Sequence, residues 1–379
     1  MESVISKLKF LNQCLESHEA RQRAVKSEGA YKGARPGAES RAHGRDMNTV
    51  FFIGQIIGGL TTLALLLFLL ARVWPRRGPG MKCHGYAVLI TGCDSGFGHH
   101  LARALDRRGF VVFAGCLQPE GAGAQSLARL CSSQLRLLKL DVTQEQDVQQ
   151  AKETVQAILP EKGLWAVVNN AGISDWAEIE WSTSQDFQNM LNVNLMGCIR
   201  TSIALLPLVR AAKGRMVFVS SIFSFFTCLN MGAYSVSKRG MEAFADCLRV
   251  EMASFGVKVS IIQPGNFGQA TNIVKVRTGA DVWERLDPER QRTFNRQYID
   301  LANEYFMSSC RSGSVNTEPV VQAMVDAVTS ARPQRRYLLV PPLELPFFRI
   351  LPLLPTVLTD AIFSLSSMYS TRRQMLYAQ

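Results

Sequence analysis

Histidine is nearly absent from this chain: all five lie at or before His100 in a sequence of 379 residues. A Ser-His-Asp hydrolase would therefore lack a base in the central region. No Cys-x-x-Cys occurs among the nine cysteines, and their spacing is irregular. That argues against a disulfide framework or a metal cluster, and no metal site is expected. Cys93, Cys116 and Cys247 sit in apolar or small-residue runs and read as reduced core residues. Charge of either sign is missing from Met47 to Ala71, and again from the twelve residues between Ser221 and Tyr234. The net charge of +11 comes from 42 basic residues scattered among 31 acidic ones. Much of the excess lies in the N-terminal arm and beside an apolar segment, which points to membrane topology or anionic lipid and not to nucleic acid.

The polar arm 1–46 is broken by glycines and is expected to be largely disordered. Its glutamates at 2, 16, 19, 28 and 39 argue against a mitochondrial transit peptide, since such peptides are poor in acid. Within 47–71 the run VFFIGQIIGGLTTLALLLFLLA is long enough to span a bilayer as one helix, and soluble helices rarely lack a polar face over six turns. Basic residues flank it almost equally, so the side of the membrane stays open. A linker over 72–83 leads to a main domain at 84–340, with a lid at about 267–315. The tail 341–379 is apolar and proline-rich, and the overlapping stretch Tyr337–Leu365, interrupted by five prolines, is suited to lying on a membrane surface.

From Tyr86 short β-branched runs alternate with helical stretches. YAVLIT, FVVFAGCL, LRLLKLDV, LWAVVNNAG, GRMVFVSS and VKVSIIQPG read as six strands. Such alternation implies right-handed crossovers and an α/β fold with a Rossmann-type, doubly wound parallel sheet. Thr91-Gly92-Cys93-Asp94-Ser95-Gly96-Phe97-Gly98 follows the first strand and opens the first helix, where glycines let the backbone approach a pyrophosphate. The second strand ends in Ala114-Gly115-Cys116-Leu117-Gln118, without a cation for a 2′-phosphate and without an aspartate for a 2′-hydroxyl. NAD is therefore expected over NADP. Asp141 ends the third strand, facing an adenine edge or capping a helix with Thr143. Asn169-Asn170-Ala171-Gly172 ends the fourth.

The stretch SSIFSFFTCLNMGAYSVSK holds Ser221, Tyr234 thirteen residues on, and Lys238 four further. Tyr234 and Lys238 are one helical turn apart and share a face. An ammonium close to a phenol lowers the phenol pKa from about 10, so that it exchanges protons near neutral pH. Ser220 is a rival for Ser221, which alone has the thirteen-residue spacing; Asn192 is a rival for Asn194, which alone starts an Asn-x-x-Gly.

The ordered set of TGxxxGxG, NNAG, the serine before Tyr-x-x-x-Lys, and Pro264-Gly265 resembles the short-chain dehydrogenase/reductase family. TGCDSGFG, FAGCL, GLWAVVNNAG, KGRMVFVSS, AFADCLRVEM and GVKVSIIQPGNF are most similar to its branch of 3-hydroxybutyrate, hydroxysteroid and retinol dehydrogenases. The resemblance implies that Tyr234 is the general acid/base, Lys238 holds the nicotinamide ribose, and Ser221 binds the substrate oxygen. It implies that Asn194 kinks its helix around a proton-relaying water. Gly92, Ser95, Gly96, Phe97 and Gly98 would wrap the cofactor phosphates, with Asp141 at the adenine and Asn169 near the adenosine ribose; Thr91, Pro264 and Gly265 would also bind the cofactor. It also implies a homo-oligomer, dimer or tetramer, paired through the helices bearing Asn194 and Tyr234.

The uncharged residues between Ser221 and Tyr234 should border the substrate, with Phe223 and Phe225 as candidate contacts, unless those rings pack the core. An apolar wall suits a steroid- or retinoid-like alcohol. The alternative, 3-hydroxybutyrate, needs a cation, which Arg277, Arg285, Arg290 or Arg292 of the lid would have to supply. A nucleotide-binding membrane scaffold without catalysis is the remote alternative, opposed by the intact Ser221, Tyr234 and Lys238. The expected location is a membrane, the endoplasmic reticulum first and the mitochondrial inner membrane second.

Overall fold

A computed structural model describes residues 84–376 except 275 and 276, together with Gln55 and 58–62. Except for Gln55 and 58–62, which are helical, the expected span at 47–71 lies outside the described residues, as do the arm 1–46 and positions 377–379. The six anticipated strands form as β1 (Ala87–Thr91), β2 (Val111–Cys116), β3 (Leu135–Lys139), β4 (Leu164–Asn169), β5 (Arg215–Val219) and β6 (Lys258–Pro264). A seventh, β7 (Arg336–Leu339), takes up the start of the stretch read as apolar tail and pairs with β6, Ile262 facing Tyr337. All pairings are parallel, in the order β3-β2-β1-β4-β5-β6-β7.

The order reverses between β1 and β4, and a doubly wound sheet opens a crevice at that switch point, outside the carboxyl ends of its strands. Alternate residues of β1 feed two cores. Val88 and Ile90 pack with α1 (Gly96–Asp106), α2 (Ala122–Leu130) and α10 (Glu318–Thr329). Ala87 and Leu89 pack with α3 (Glu145–Ala157), α5 (Gly197–Ala211) and α6 (Gly232–Glu251). Both faces are covered, which is why the strands read as continuous apolar runs.

Helix α4 (Ser184–Leu191) runs through a π-turn, Asn192–Met196, into α5. The 28-residue run Ser184–Ala211 is apolar enough in composition to cross a membrane. Its Cys198, Leu205 and Val209 instead pack in the core with Met216 and Phe218, so it reads as a core helix. Cys93 and Cys116 are buried as expected, but Cys247 is exposed. On α6 the inward positions are Met241, Ala245 and Leu248, and residue 247 falls on the opposite side of that stripe.

After Pro264 the segment expected as a lid forms α7 (Gly279–Glu284), α8 (Pro288–Thr293) and α9 (Arg296–Arg311). The C-terminal residues form α11 (Leu345–Ile350), α12 (Thr356–Ser364) and α13 (Ser367–Met375). Helix α13 docks on the lid. The Arg372 guanidinium donates to both oxygens of buried Glu178, each at 2.8 Å, and the Tyr298 hydroxyl of α9 donates to the same carboxylate at 2.6 Å. Met368 and Leu376 complete a small core with Tyr298 and Ile299.

Candidate active site

The glycine-rich turn closes on itself. Gly92 has φ +71, and a Cβ there would stand 2.9 Å from the Ala171 backbone. At Gly98 a Cβ would collide with the Gly92 carbonyl oxygen and lie 2.6 Å from Asn170 Nδ2. That amide holds the turn to the end of β4, donating to the carbonyls of Thr91 (2.9 Å) and Gly92 (3.0 Å). The Thr91 hydroxyl accepts from the backbone N–H groups of Asn170 (3.0 Å) and Ala171 (2.9 Å). Ser95 at the N-cap of α1 makes no side-chain cap, and the first turn carries no acid. The leading N–H groups of α1 are thus left for a ligand, and the helix dipole favours an anionic one.

A cavity of about 540 Å³ runs along the strand ends from this turn to the lid. Gly92, Ser95, Gly96, Phe97, Asp141, Pro264 and Gly265 line it, and so do Ser221, Phe223, Tyr234 and Lys238. Thr91, Asn169 and Gly98 are not on its wall. Thr91 and Gly98 act behind it as just described, and buried Asn169 donates from Nδ2 to Ser202 Oγ at 3.0 Å. Asn170, Ala171 and Gly172 present the NNAG segment instead. An unoccupied cap, close-packed glycines and a cavity opening along the strand ends fit a nicotinamide dinucleotide.

Asp94 was missed in the sequence, which showed no acid at the end of β2. Its carboxylate folds over that end and accepts from the N–H groups of Leu117 and Gln118, both at 2.9 Å. Asp141 is partly committed: one oxygen accepts from the Thr143 N–H (2.9 Å) and hydroxyl (2.7 Å).

Asn194 is fully buried in the π-turn, at the place where the resemblance implied a kinked helix. Its Oδ1 accepts from the Ile173 N–H (2.9 Å), and its Nδ2 donates to the Ile173 carbonyl (2.9 Å) and Ser237 Oγ (3.0 Å). A Cβ on Gly172 would crowd Asn194 Oδ1 at 3.2 Å and make ordinary contact with Lys238 Nζ at 3.5 Å.

Tyr234 and Lys238 meet on one face of α6, but not as the spacing suggested. Lys238 Nζ lies over the tyrosine ring, 5.6 Å from its centroid, and donates to the Val219 carbonyl at 2.9 Å. Burial pushes the phenol up to about 12, offset in part by a hydrogen bond with Ser221. Burial also pushes the ammonium down to about 8, against the attraction of the Cys198 sulfur and Glu242. The protein alone therefore does not lower the tyrosine pKa: desolvation outweighs a cation that meets the ring face. Ser221 Oγ accepts from the Phe223 N–H at 3.3 Å, while the neighbouring Ser220 Oγ is buried on the wall without a partner.

Of the three phenylalanines between Ser221 and Tyr234, only Phe223 reaches the cavity, edge-on to Tyr234 with centroids 6.0 Å apart. Phe225 does not line it; its ring packs against Phe348 of α11, and Phe226 packs against Phe348 and Phe363 of α12. A continuous apolar run cannot show which rings face a ligand and which face another helix. Sequence reasoning also missed Tyr305 and Phe306 of α9, which close the cavity from the lid, and buried Glu242, which accepts from Ser224 Oγ and Gln263 Nε2 beneath it. The lid arginines stay off the wall. Arg277 pairs with Asp175 (2.6 Å), Arg285 with Asp186 (2.7 Å) and Arg290 with Asp287 (2.8 Å).

The sequence model of the family described as short chain dehydrogenase matches residues 86–279. D-beta-hydroxybutyrate dehydrogenase, mitochondrial, of Mus musculus is 42% identical over 261 residues, which are 67% of this chain and 76% of the relative. 17-beta-hydroxysteroid dehydrogenase type 6 of Homo sapiens is 40% identical over 285 residues, 74% of this chain and 88% of the relative. Among solved structures, a short-chain dehydrogenase from Streptomyces avermitilis superposes with TM-score 0.59 at 21% identity, covering 76% of this chain and 98% of that one, a likeness of fold. With half of the chain matched by the family's own pattern and two-fifths identity kept across most of each relative, the chain belongs to the short-chain dehydrogenase family, oxidoreductases that act with a nicotinamide cofactor.

Proposed function

We propose that this protein interconverts a lipophilic, steroid- or retinoid-like alcohol and its carbonyl compound with NAD(H). The observation that carries the reading is the wall around Ser221 and Tyr234: Phe223, Leu229, Met231 and Phe306 surround them, and among the described residues Lys238 is the only cation lining the cavity. An apolar pocket binds by area and shape, and it offers a small carboxylate no compensation for its buried charge.

In this reading Ser221 and Tyr234 hold the substrate oxygen, and the Tyr234 hydroxyl takes or gives its proton. Lys238 lies behind the ring, poised to hold a ribose and to pass the proton on, and Asn194 fixes the π-turn beside it. Gly92, Ser95, Gly96, Phe97 and the N-terminus of α1 would receive the cofactor phosphates, with Asp141 and Asn170 along the adenosine side. When bound, the cofactor supplies or accepts the hydride. Asp94 supports NAD over NADP, because a carboxylate at the end of β2 repels a 2′-phosphate.

Location and assembly complete the proposal. The uncharged 47–71 supports a single-pass membrane protein. Exposed Leu343, Leu353 and Val357 beside the C-terminal helices support contact with lipid. The endoplasmic reticulum is preferred on the acid-bearing arm, with the mitochondrial inner membrane second. Exposed Ile203 on α5 and Val236 on α6 support pairing of two copies through these helices.

Likeness to the hydroxybutyrate dehydrogenase favours a second reading, oxidation of 3-hydroxybutyrate. Purified full-length protein given NAD and each alcohol decides between them. NADH formation with steroid or retinoid alcohols is expected; rapid formation with 3-hydroxybutyrate and none with the lipophilic alcohols would overturn the proposal.

A further inference from the structure

We infer that Asn230 determines specificity by hydrogen-bonding a second, neutral oxygen of the substrate, separate from the reacting alcohol. The inference rests on the lipophilic-alcohol reading and goes beyond it by requiring a substrate with two polar ends.

Asn230 adopts φ +67, a left-handed backbone held in place as its carbonyl accepts the Ala177 N–H at 3.0 Å. The other non-glycine residue with positive φ among those described, Lys213, lies in an exposed turn. Asn230 is instead 6% exposed, and its Oδ1 has no hydrogen-bond partner. Glycine would take this conformation with less strain, and an unpaired buried amide costs stability. Strain and an unsatisfied polar group at one buried position are marks of a ligand contact.

The surroundings say what kind of ligand. Asn230 lies on the wall of the main cavity and also on that of an adjoining cavity of about 290 Å³. The main cavity is apolar next to it, with Leu229 and Met231 on either side. The adjoining space is largely apolar too, but it brings Ser174, Asn272 and the buried Arg277–Asp175 pair to the junction. Arg277 already pairs with Asp175 and approaches Asp186 at 3.7 Å, so an anion entering there gains little from it. A neutral oxygen suits the junction. Oδ1 accepts from a hydroxyl, and Nδ2 donates to a ketone. Ser221 and Tyr234 line the main cavity alone, so the second oxygen lies towards the side chamber while the reacting alcohol stays with them.

The test uses the full-length protein in detergent with NAD and two rigid steroids sharing one secondary alcohol. One carries a second hydroxyl or ketone at the opposite end of the skeleton, and the other carries hydrogen there. The wild-type protein should prefer the steroid with two oxygens. Asn230→Gly keeps the left-handed backbone and deletes the amide. It should lower kcat/KM by about 10- to 100-fold for that steroid and by less than about threefold for the other, so that the preference collapses. Turnover of the one-oxygen steroid also reports that the variant is folded. An equal fall for both steroids, no fall for either, or a wild-type protein indifferent to the second oxygen overturns the role of Asn230 and leaves the lipophilic-alcohol reading standing. A wild-type protein that oxidises 3-hydroxybutyrate and neither steroid overturns both.

Discussion

Replacing Lys238 by methionine should make the cofactor-free protein more stable while ending its turnover. The ammonium is 2% exposed, and burial lowers its pKa from 10.5 to about 8. That gap of about 2.5 pH units is worth ~3 kcal/mol at ~1.4 kcal/mol per unit. Below pH ~8 the folded and unfolded chains both carry the proton, and the folded one bears the whole burial cost. Between pH ~8 and ~10.5 the unfolded chain keeps a proton that the folded chain has released, so stability rises with pH. Methionine is of similar volume and uncharged; it forfeits the bond to the Val219 carbonyl, about 1 kcal/mol. The net gain near pH 7 is then about 2 kcal/mol, a rise in melting temperature of about 4 °C. Tyr234 leaves the window clean up to pH ~10: its pKa is raised to about 12, so its own contribution is lost only as pH rises from ~10 towards that value. Tryptophan-fluorescence melts of full-length wild type and Lys238→Met in detergent, from about pH 6 to about pH 10, measure the effect. A variant that melts below wild type near neutrality, or an advantage that does not shrink above pH ~8, would refute the reasoning.

Tyr234→Phe should abolish turnover while sparing cofactor binding, measured by NADH fluorescence titration; unchanged turnover would overturn its role as acid/base. Gly98→Ala should weaken cofactor binding by at least about tenfold, because its Cβ collides with the Gly92 carbonyl and displaces the glycine turn. An unaltered dissociation constant would show that the turn does not hold the phosphates. Arg372→Met leaves Glu178 buried with only the Tyr298 hydroxyl, and should cost about 2 kcal/mol, reduced from the value of a fully buried pair because Arg372 is 30% exposed. A lower melting temperature with faster proteolysis of α13 is expected, and an unchanged melt would mean the clamp contributes nothing.

The sheet was legible because its strands are buried on both sides, so β-branched runs such as Ala87–Thr91 stand out against amphipathic helices. Strand β7 escaped because Arg336–Leu339 is four residues leading into prolines, and only its register with β6 makes it a strand. The glycine turn, Ser221, Tyr234 and Lys238 were legible through spacing, which places side chains on a common face. Spacing does not say what the atoms touch: Lys238 meets the tyrosine ring and not its hydroxyl. Asp94 was hidden for another reason, since its partners lie 23 and 24 residues away and are backbone N–H groups that no residue type reveals.

The three phenylalanines after Ser221 show how that limit bears on substrate choice. Phe223 faces the cavity, whereas Phe225 and Phe226 are stapled to Phe348 and Phe363 of the C-terminal helices. One short segment thus joins Ser221 to helices whose outer sides expose Leu353, Val357 and Leu358. If those helices rest on lipid, as proposed above, the rings of Phe225 and Phe226 tie the segment that carries the substrate wall to the membrane-facing side. A soluble hydroxy acid would gain nothing from that arrangement. The tail and the apolar wall, far apart in sequence, therefore favour the same class of substrate for one physical reason.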